Sequence, residues 1–92
     1  MTQDEITNVL ERVVEGAKLV IAYDSPRGER RFAIPVVSVK HNARDEIVKV
    51  RLERGTAAWM FVQRAKLENG ELRWCFYQPN PYPIYEVALE RK

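Results

Sequence analysis

Apolar and polar positions recur with two different periods along this chain, and the period changes at Gly16. Before it, Ile6, Val9, Leu10 and Val13 follow the i, i+3, i+4, i+7 spacing of one helix face. Thr2 and Glu5 have the spacing of a capping box, in which hydroxyl and carboxylate each satisfy a free backbone N–H. Asp4 and Glu5 suit the positive end of the helix dipole, and Gly16 is a natural stop because glycine takes the left-handed conformation without strain. These signals predict a helix over about Gln3 to Glu15.

After Gly16 the period is that of strands. Lys18 to Tyr23 is short, apolar and β-branched, and Asp24 to Gly28 is a turn. Glu29 to Lys40 is long for one strand, and Pro35 within it predicts an edge, a bulge or a sharp bend. His41 to Asp45 turns the chain into Ile47 to Glu53, where Val48, Val50 and Leu52 alternate with Lys49, Arg51 and Glu53. Arg54-Gly55 leads into Thr56 to Arg64, where Trp59 and Phe61 share one side and Met60 and Val62 the other, as in a strand covered on both faces. Asn69-Gly70 predicts a type I′ hairpin with both residues at positive φ. In the strand that follows, Leu72, Trp74 and Phe76 alternate with Arg73, Cys75 and Tyr77. Three prolines between Gln78 and Pro83 predict an extended loop holding Tyr82 near the surface, and Ile84 to Leu89 offers the last strand.

One helix and about six short antiparallel strands give a mainly β fold of the α+β kind. The expected architecture is a single domain over residues 1–92: a helix over 1–16, then over 17–89 a small barrel of the SH3 or Sm type or a strongly bent sheet. A chain of 92 residues supports one core and not two. The single cysteine, Cys75, suits a reducing compartment, the start of the chain has no apolar signal core, and no apolar run is long enough to span a bilayer. A cytoplasmic protein without a membrane anchor is therefore expected. The small size makes a homodimer that covers a strand edge plausible.

Little here suggests catalysis. One His and one Cys make a metal site improbable, and Cys75 and His41 are far apart on different kinds of element. The glycines are isolated turn residues rather than a phosphate-cradling loop, and no carboxylate pair stands out. Neither enzyme activity nor a cofactor is expected.

Basic residues change the picture more. Net charge is only +2, from 15 Lys and Arg against 13 Asp and Glu, well short of a dedicated duplex-DNA binder. Yet Arg27, Arg30 and Arg31 cluster at the first hairpin, Lys49 and Arg51 share a strand face, and Arg64, Lys66 and Arg73 flank the Asn69-Gly70 turn. With Tyr23, Trp59, Tyr77 and Tyr82 nearby, a closed barrel brings some of them to one concave face able to stack bases and hold phosphates. The plainer account places the charges on solvated strand faces, interleaved with acids, and the aromatics in the core.

The stretch from Val13 to Leu67 resembles the WYL domain, an Sm-like barrel of bacterial transcriptional regulators and CRISPR-associated proteins. The resemblance lies in Val20-Ile21-Ala22-Tyr23, in Pro26-Arg27-Gly28-Glu29, in Arg31 followed by Pro35, and in Met60-Phe-Val-Gln-Arg64. The Trp-Tyr-Leu triplet is absent, with Asp45-Glu-Ile-Val48 near its place, and the 92 residues contain no helix-turn-helix region. The resemblance implies that Tyr23, Arg31 and Arg64 belong to a basic groove for nucleotides or nucleic acid.

These readings converge on a non-enzymatic module for a nucleotide or single-stranded nucleic acid in transcriptional or defence regulation, with Tyr23, Arg31, Arg64, Lys49 and Arg51 as ligand-binding residues. The alternative is a protein-interaction module, a dimerising adaptor or a mobile-element-encoded inhibitor, that uses a strand edge or the Tyr82 loop, with Tyr82 and Tyr77 meeting the partner.

Overall fold

The capping box forms as its spacing implies. Glu5 N donates to Thr2 Oγ1 at 3.1 Å and Thr2 N donates to Glu5 Oε1 at 2.8 Å. The helix it opens, α1 (Gln3–Leu10), is shorter than the pattern predicts. Arg12 and Val13 already donate three residues back, to Val9 and Leu10, which tightens the backbone out of the α-helix. Val13 still reaches the core, and Gly16, at φ 89°, turns the chain so that its N–H meets the Val36 carbonyl at 2.9 Å. Residues 1–53, 60–77 and 80–90 are described by the computed structural model. Trp59, the Arg54-Gly55 turn and the expected strand start at Thr56 lie outside the described residues.

Among the described residues six strands follow: β1 (Lys18–Ser25), β2 (Gly28–His41), β3 (Ile47–Leu52), β4 (Met60–Lys66), β5 (Leu72–Tyr77) and β6 (Pro81–Leu89). Each pairs antiparallel with the next, and β6 pairs back onto β1 to close a barrel, the small SH3/Sm-like architecture expected from the pattern. Inward positions carry the core: Leu19, Ile21 and Tyr23 on β1, Ile34 and Val36 on β2, Val50 and Leu52 on β3, Met60 and Val62 on β4, Trp74 and Phe76 on β5, and Ile84 and Val87 on β6. Ile6 and Leu10 of α1 are fully buried against it, each stabilising the fold by about 1.5–3 kcal/mol. The helix thereby plugs one end of the barrel, with contacts to β3, β5 and β6.

Strand β2 is long because it serves both halves of the barrel, pairing with β1 through its first part and with β3 through its second. The register slips between Val36 and Ser38, directly after Pro35, which realises the bend Pro35 suggests. Pro35 stands opposite Lys18 at the last pair with β1 and keeps its carbonyl in use, accepting from Glu53 N at 3.0 Å.

Three expectations need correction. A second slip, between Lys40 and His41, shifts the phase of β3, so Ile47 is buried and Val48 only half-buried. The β4–β5 hairpin is not type I′. Only Gly70 has positive φ (84°), and Leu67 exchanges bonds with Gly70 and Glu71 around a three-residue loop of the kind that ends in one left-handed residue. Finally, the stretch expected to be a loop enters the sheet: β6 starts at Pro81. Pro81 and Pro83 pair with Tyr77 and Cys75 of β5, whereas pairing with β1 begins only at Ile84. The missing proline donors fall where β6 has no second neighbour. Tyr82, between them, therefore points into the barrel rather than out from a loop.

No helix among the described residues is long and apolar enough to cross a membrane.

Candidate functional site

The expected ligand-binding residues separate into four regions. Strand alternation sends Tyr23 inward, where its ring packs on Phe32, Phe76 and Tyr82 with centroids 5.7, 4.8 and 5.8 Å away. Arg31 faces outward on the opposite side of the β1–β2 ladder. Its Nη1 donates to Glu86 Oε1 at 3.3 Å, and both residues pair with Ala22, whose small side chain lets the ion pair close over it. Ala22 is almost completely buried as a result.

Arg64 is part of the joint between helix and barrel. Its guanidinium lies over the Trp74 ring, 5.0 Å from the centroid, and Nη2 donates to Thr7 Oγ1 at 3.0 Å. The same oxygen accepts from Trp74 Nε1 at 2.8 Å and donates to the Gln3 carbonyl at 2.9 Å. Thr7 thus uses its one proton and both lone pairs. Gln3 Oε1 adds a bond from Trp74 N at 2.7 Å. In the sequence, Gln3 and Thr7 are marked only by their position on the face of α1 beside the apolar stripe. A cleft of about 330 Å³ opens beside this joint, but Glu11 and Glu46 line it together with Arg64, so it is not a uniformly basic groove. Tyr23, Arg31 and Arg64, the trio implied by the WYL resemblance, do not share a face.

Lys49, Arg51 and Tyr77, by contrast, do come together. The registers of β2 to β6 lay two rows across the outer surface. One row runs Ser38, Arg51, Phe61, Tyr77, Pro81; the next runs Lys40, Lys49, Gln63, Cys75, Pro83. Neither row contains a carboxylate. Phe61 and Tyr77 stack with centroids 4.6 Å apart and planes 12° from parallel, and the Lys49 ammonium sits over the Phe61 ring at 4.2 Å. Neighbouring strands lie about 4.8 Å apart, so rings at this spacing stand upright on the sheet, face to face. Phe61, expected to share a covered face, is half-buried here and belongs to this column. Burial pushes the Tyr77 hydroxyl above its ordinary value, with a smaller contribution from Cys75.

Cys75 is fully buried in the second row, its Sγ 3.6 Å from the Arg73 carbonyl, and burial pushes its thiol up, which holds it protonated. Among the described residues no group of three or more His, Cys, Asp or Glu side chains comes together to hold a metal.

Within these two rows on the outside of β3, β4 and β5, cations gather with no ion pair among the described residues; the Arg73–Glu71 pair lies beyond them, at the start of β5. No family model matches the chain, and neither a curated protein nor a solved structure matches it.

Proposed function

We propose that the chain is a non-enzymatic module that binds single-stranded nucleic acid across the outer face of β3, β4 and β5. The observation that carries this reading is the pair of carboxylate-free rows, in which Lys40, Lys49 and Arg51 flank the stacked rings of Phe61 and Tyr77. Single strands present what such a surface takes: phosphates at regular intervals and bases whose faces stack on aromatic rings regardless of sequence. A base stacks on Phe61 in place of the Lys49 ammonium, which moves onto the adjoining phosphate. Arg51, directly opposite Phe61 in the ladder, grips the next phosphate with its planar fork.

Fluorescence anisotropy of a labelled single-stranded oligonucleotide, titrated at several salt concentrations, tests the reading. Three phosphate contacts give a log–log salt slope of about −2 for a single strand. Affinity that does not change with salt removes the phosphate contacts and with them the proposal. A protein partner on the same face is the second reading, favoured by the Phe61–Tyr77 stack, since paired aromatics also anchor protein interfaces. Absence of any oligonucleotide binding, together with self-association weakened by Tyr77→Ala, selects it.

A further inference from the structure

The helix plugs only one end of the barrel. At the other end, around the β1–β2 turn, a hollow of about 360 Å³ is lined by Tyr23, Ser25, Pro26, Arg27, Arg30 and Tyr82. Arg30 pairs with Tyr23 across the ladder, and so occupies the inward-facing position of β2 next to Phe32 on the side of the turn, with only Gly28 beyond it. Beneath it lies the ring cluster of Tyr23, Phe32, Phe76 and Tyr82, with Phe32 and Phe76 5.2 Å apart. The floor is therefore aromatic and the rim cationic, and among the described residues no carboxylate lines the hollow. Among the described residues neither Arg27 nor Arg30 has a carboxylate within ion-pair distance. The turn is held in shape without them: Ser25 Oγ donates to the Gly28 carbonyl at 2.7 Å and accepts from Arg27 N at 3.3 Å.

We infer that this barrel mouth is a binding site for a phosphate monoester that carries a flat ring. Two guanidinium groups on one rim match the charge and planar oxygen pairs of a phosphate, and charge-assisted bonds of that kind are about twice as strong as neutral ones. The two tyrosines below accept the ring, and a barrel mouth is a common place for a small-ligand site. The mouth is independent of the outer face of β3, β4 and β5, although β6 joins them: Pro81 ends the first row there, and the next residue, Tyr82, lines the hollow. The ligand chemistry has two sources, a free small molecule or the phosphorylated end of a strand lying on that face.

Phenyl phosphate titrated into the ¹⁵N-labelled full chain tests the site. Saturable shifts at the amides of Ser25 to Arg30 and of Tyr82 are expected, with inorganic phosphate binding more weakly for lack of the ring. Arg27→Gln and Arg30→Gln each weaken phenyl phosphate about tenfold, the usual scale for losing a charge-assisted bond. Both residues are exposed, so the variants keep the fold, which unchanged amide positions elsewhere verify. Shifts centred on Lys49, Phe61 and Tyr77, or arginine variants that bind as tightly as the parent, overturn the assignment. Displacement of phenyl phosphate by a 5′-phosphorylated oligonucleotide but not by its unphosphorylated form supports the site with a strand end as the source. Displacement by neither supports it with a free ligand.

Discussion

Two outer faces of one barrel treat charge in opposite ways. On β1, β2 and β6, Arg31 shares the surface with Asp24, Glu29 and Glu86, and its guanidinium is joined to Glu86 over Ala22. On β3, β4 and β5, Lys49 sits over the Phe61 ring, the ion pair of Arg73 with Glu71 stands outside the two central rows, and those rows hold no acid. Both faces are built on the same alternation of inward apolar and outward polar positions. A net charge of +2 averages over them and conceals the difference. What makes a surface available to a phosphate chain is the pairing partner across the ladder, not the number of arginines along the chain.

Charge reversal breaks the comparison most directly. The double variant Lys49→Glu, Arg51→Glu should lower single-strand affinity about a hundredfold at low salt, since it replaces attraction by repulsion at two phosphates. Arg31→Glu should change it by less than about twofold, because that site lies on the other face and already has an acidic partner. Anisotropy titrations of both variants measure the contrast, and equal losses erase the distinction between the faces.

Removing a ring sharpens it. Tyr77→Ala should weaken binding about tenfold, within the roughly 1–3 kcal/mol that stacking one base contributes. The salt slope should stay where it is, since no cation is lost. Tyr85→Ala, on the other face, removes a more exposed aromatic, 40% accessible, and should leave affinity unaltered.

Much of this molecule can be read along the chain, and the limits have physical causes. The capping box, the apolar stripe of α1 and the six strands follow from short-range rules, because a helix face or a strand face repeats within a few residues. The closed barrel could be named as a class for the same reason. The slips at Val36/Ser38 and Lys40/His41 could not be placed, as each depends on which residue of the neighbouring strand stands opposite. That is why Val48 and Ile47 exchange roles. Tyr82 lies in a strand where its prolines suggest a loop, because prolines rule out a strand only where both of its sides are paired, and pairing is a property of the barrel, not of the segment. Arg64 and Arg31 carried a groove role on sequence grounds, yet partners 57 and 55 residues away hold them elsewhere. Lys49, Arg51 and Tyr77 came out together because the first two share a strand face by alternation. Their meeting with Phe61 required the registers.

The helix joint and the outer ion pair give a stability contrast of intermediate size. Thr7→Val leaves Trp74 Nε1 and the Arg64 fork without their shared oxygen, and should cost about 1–3 kcal/mol, the usual penalty for stranding a partly buried donor. Arg31→Ala removes a pair in which both side chains are about half exposed (54% and 48%), and should cost no more than about 1 kcal/mol. Urea denaturation of the two variants separates an ordered node inside the fold from a bridge on its surface.

The smallest effect lies in the alkaline titration of one tyrosine from each face. Both Tyr77 and Tyr85 are raised above the ordinary value of 10.0, but for different reasons: burial first for Tyr77, hydrogen bonding to Asp24 first for Tyr85. In each case the folded state favours the neutral phenol. The associated stability is therefore fully present below the unfolded value of about 10 and is lost as pH rises through the higher folded value. Asp24→Asn takes away the carboxylate beside Tyr85 and should bring its titration down toward the ordinary value, while Tyr77 on the opposite face titrates as before. Tyrosinate absorbance, assigned by comparison with Tyr85→Phe and Tyr77→Phe, follows the two groups separately. If Asp24→Asn moved both titrations together, the faces would be electrostatically coupled through the barrel wall, and the independence on which the comparison rests would be lost.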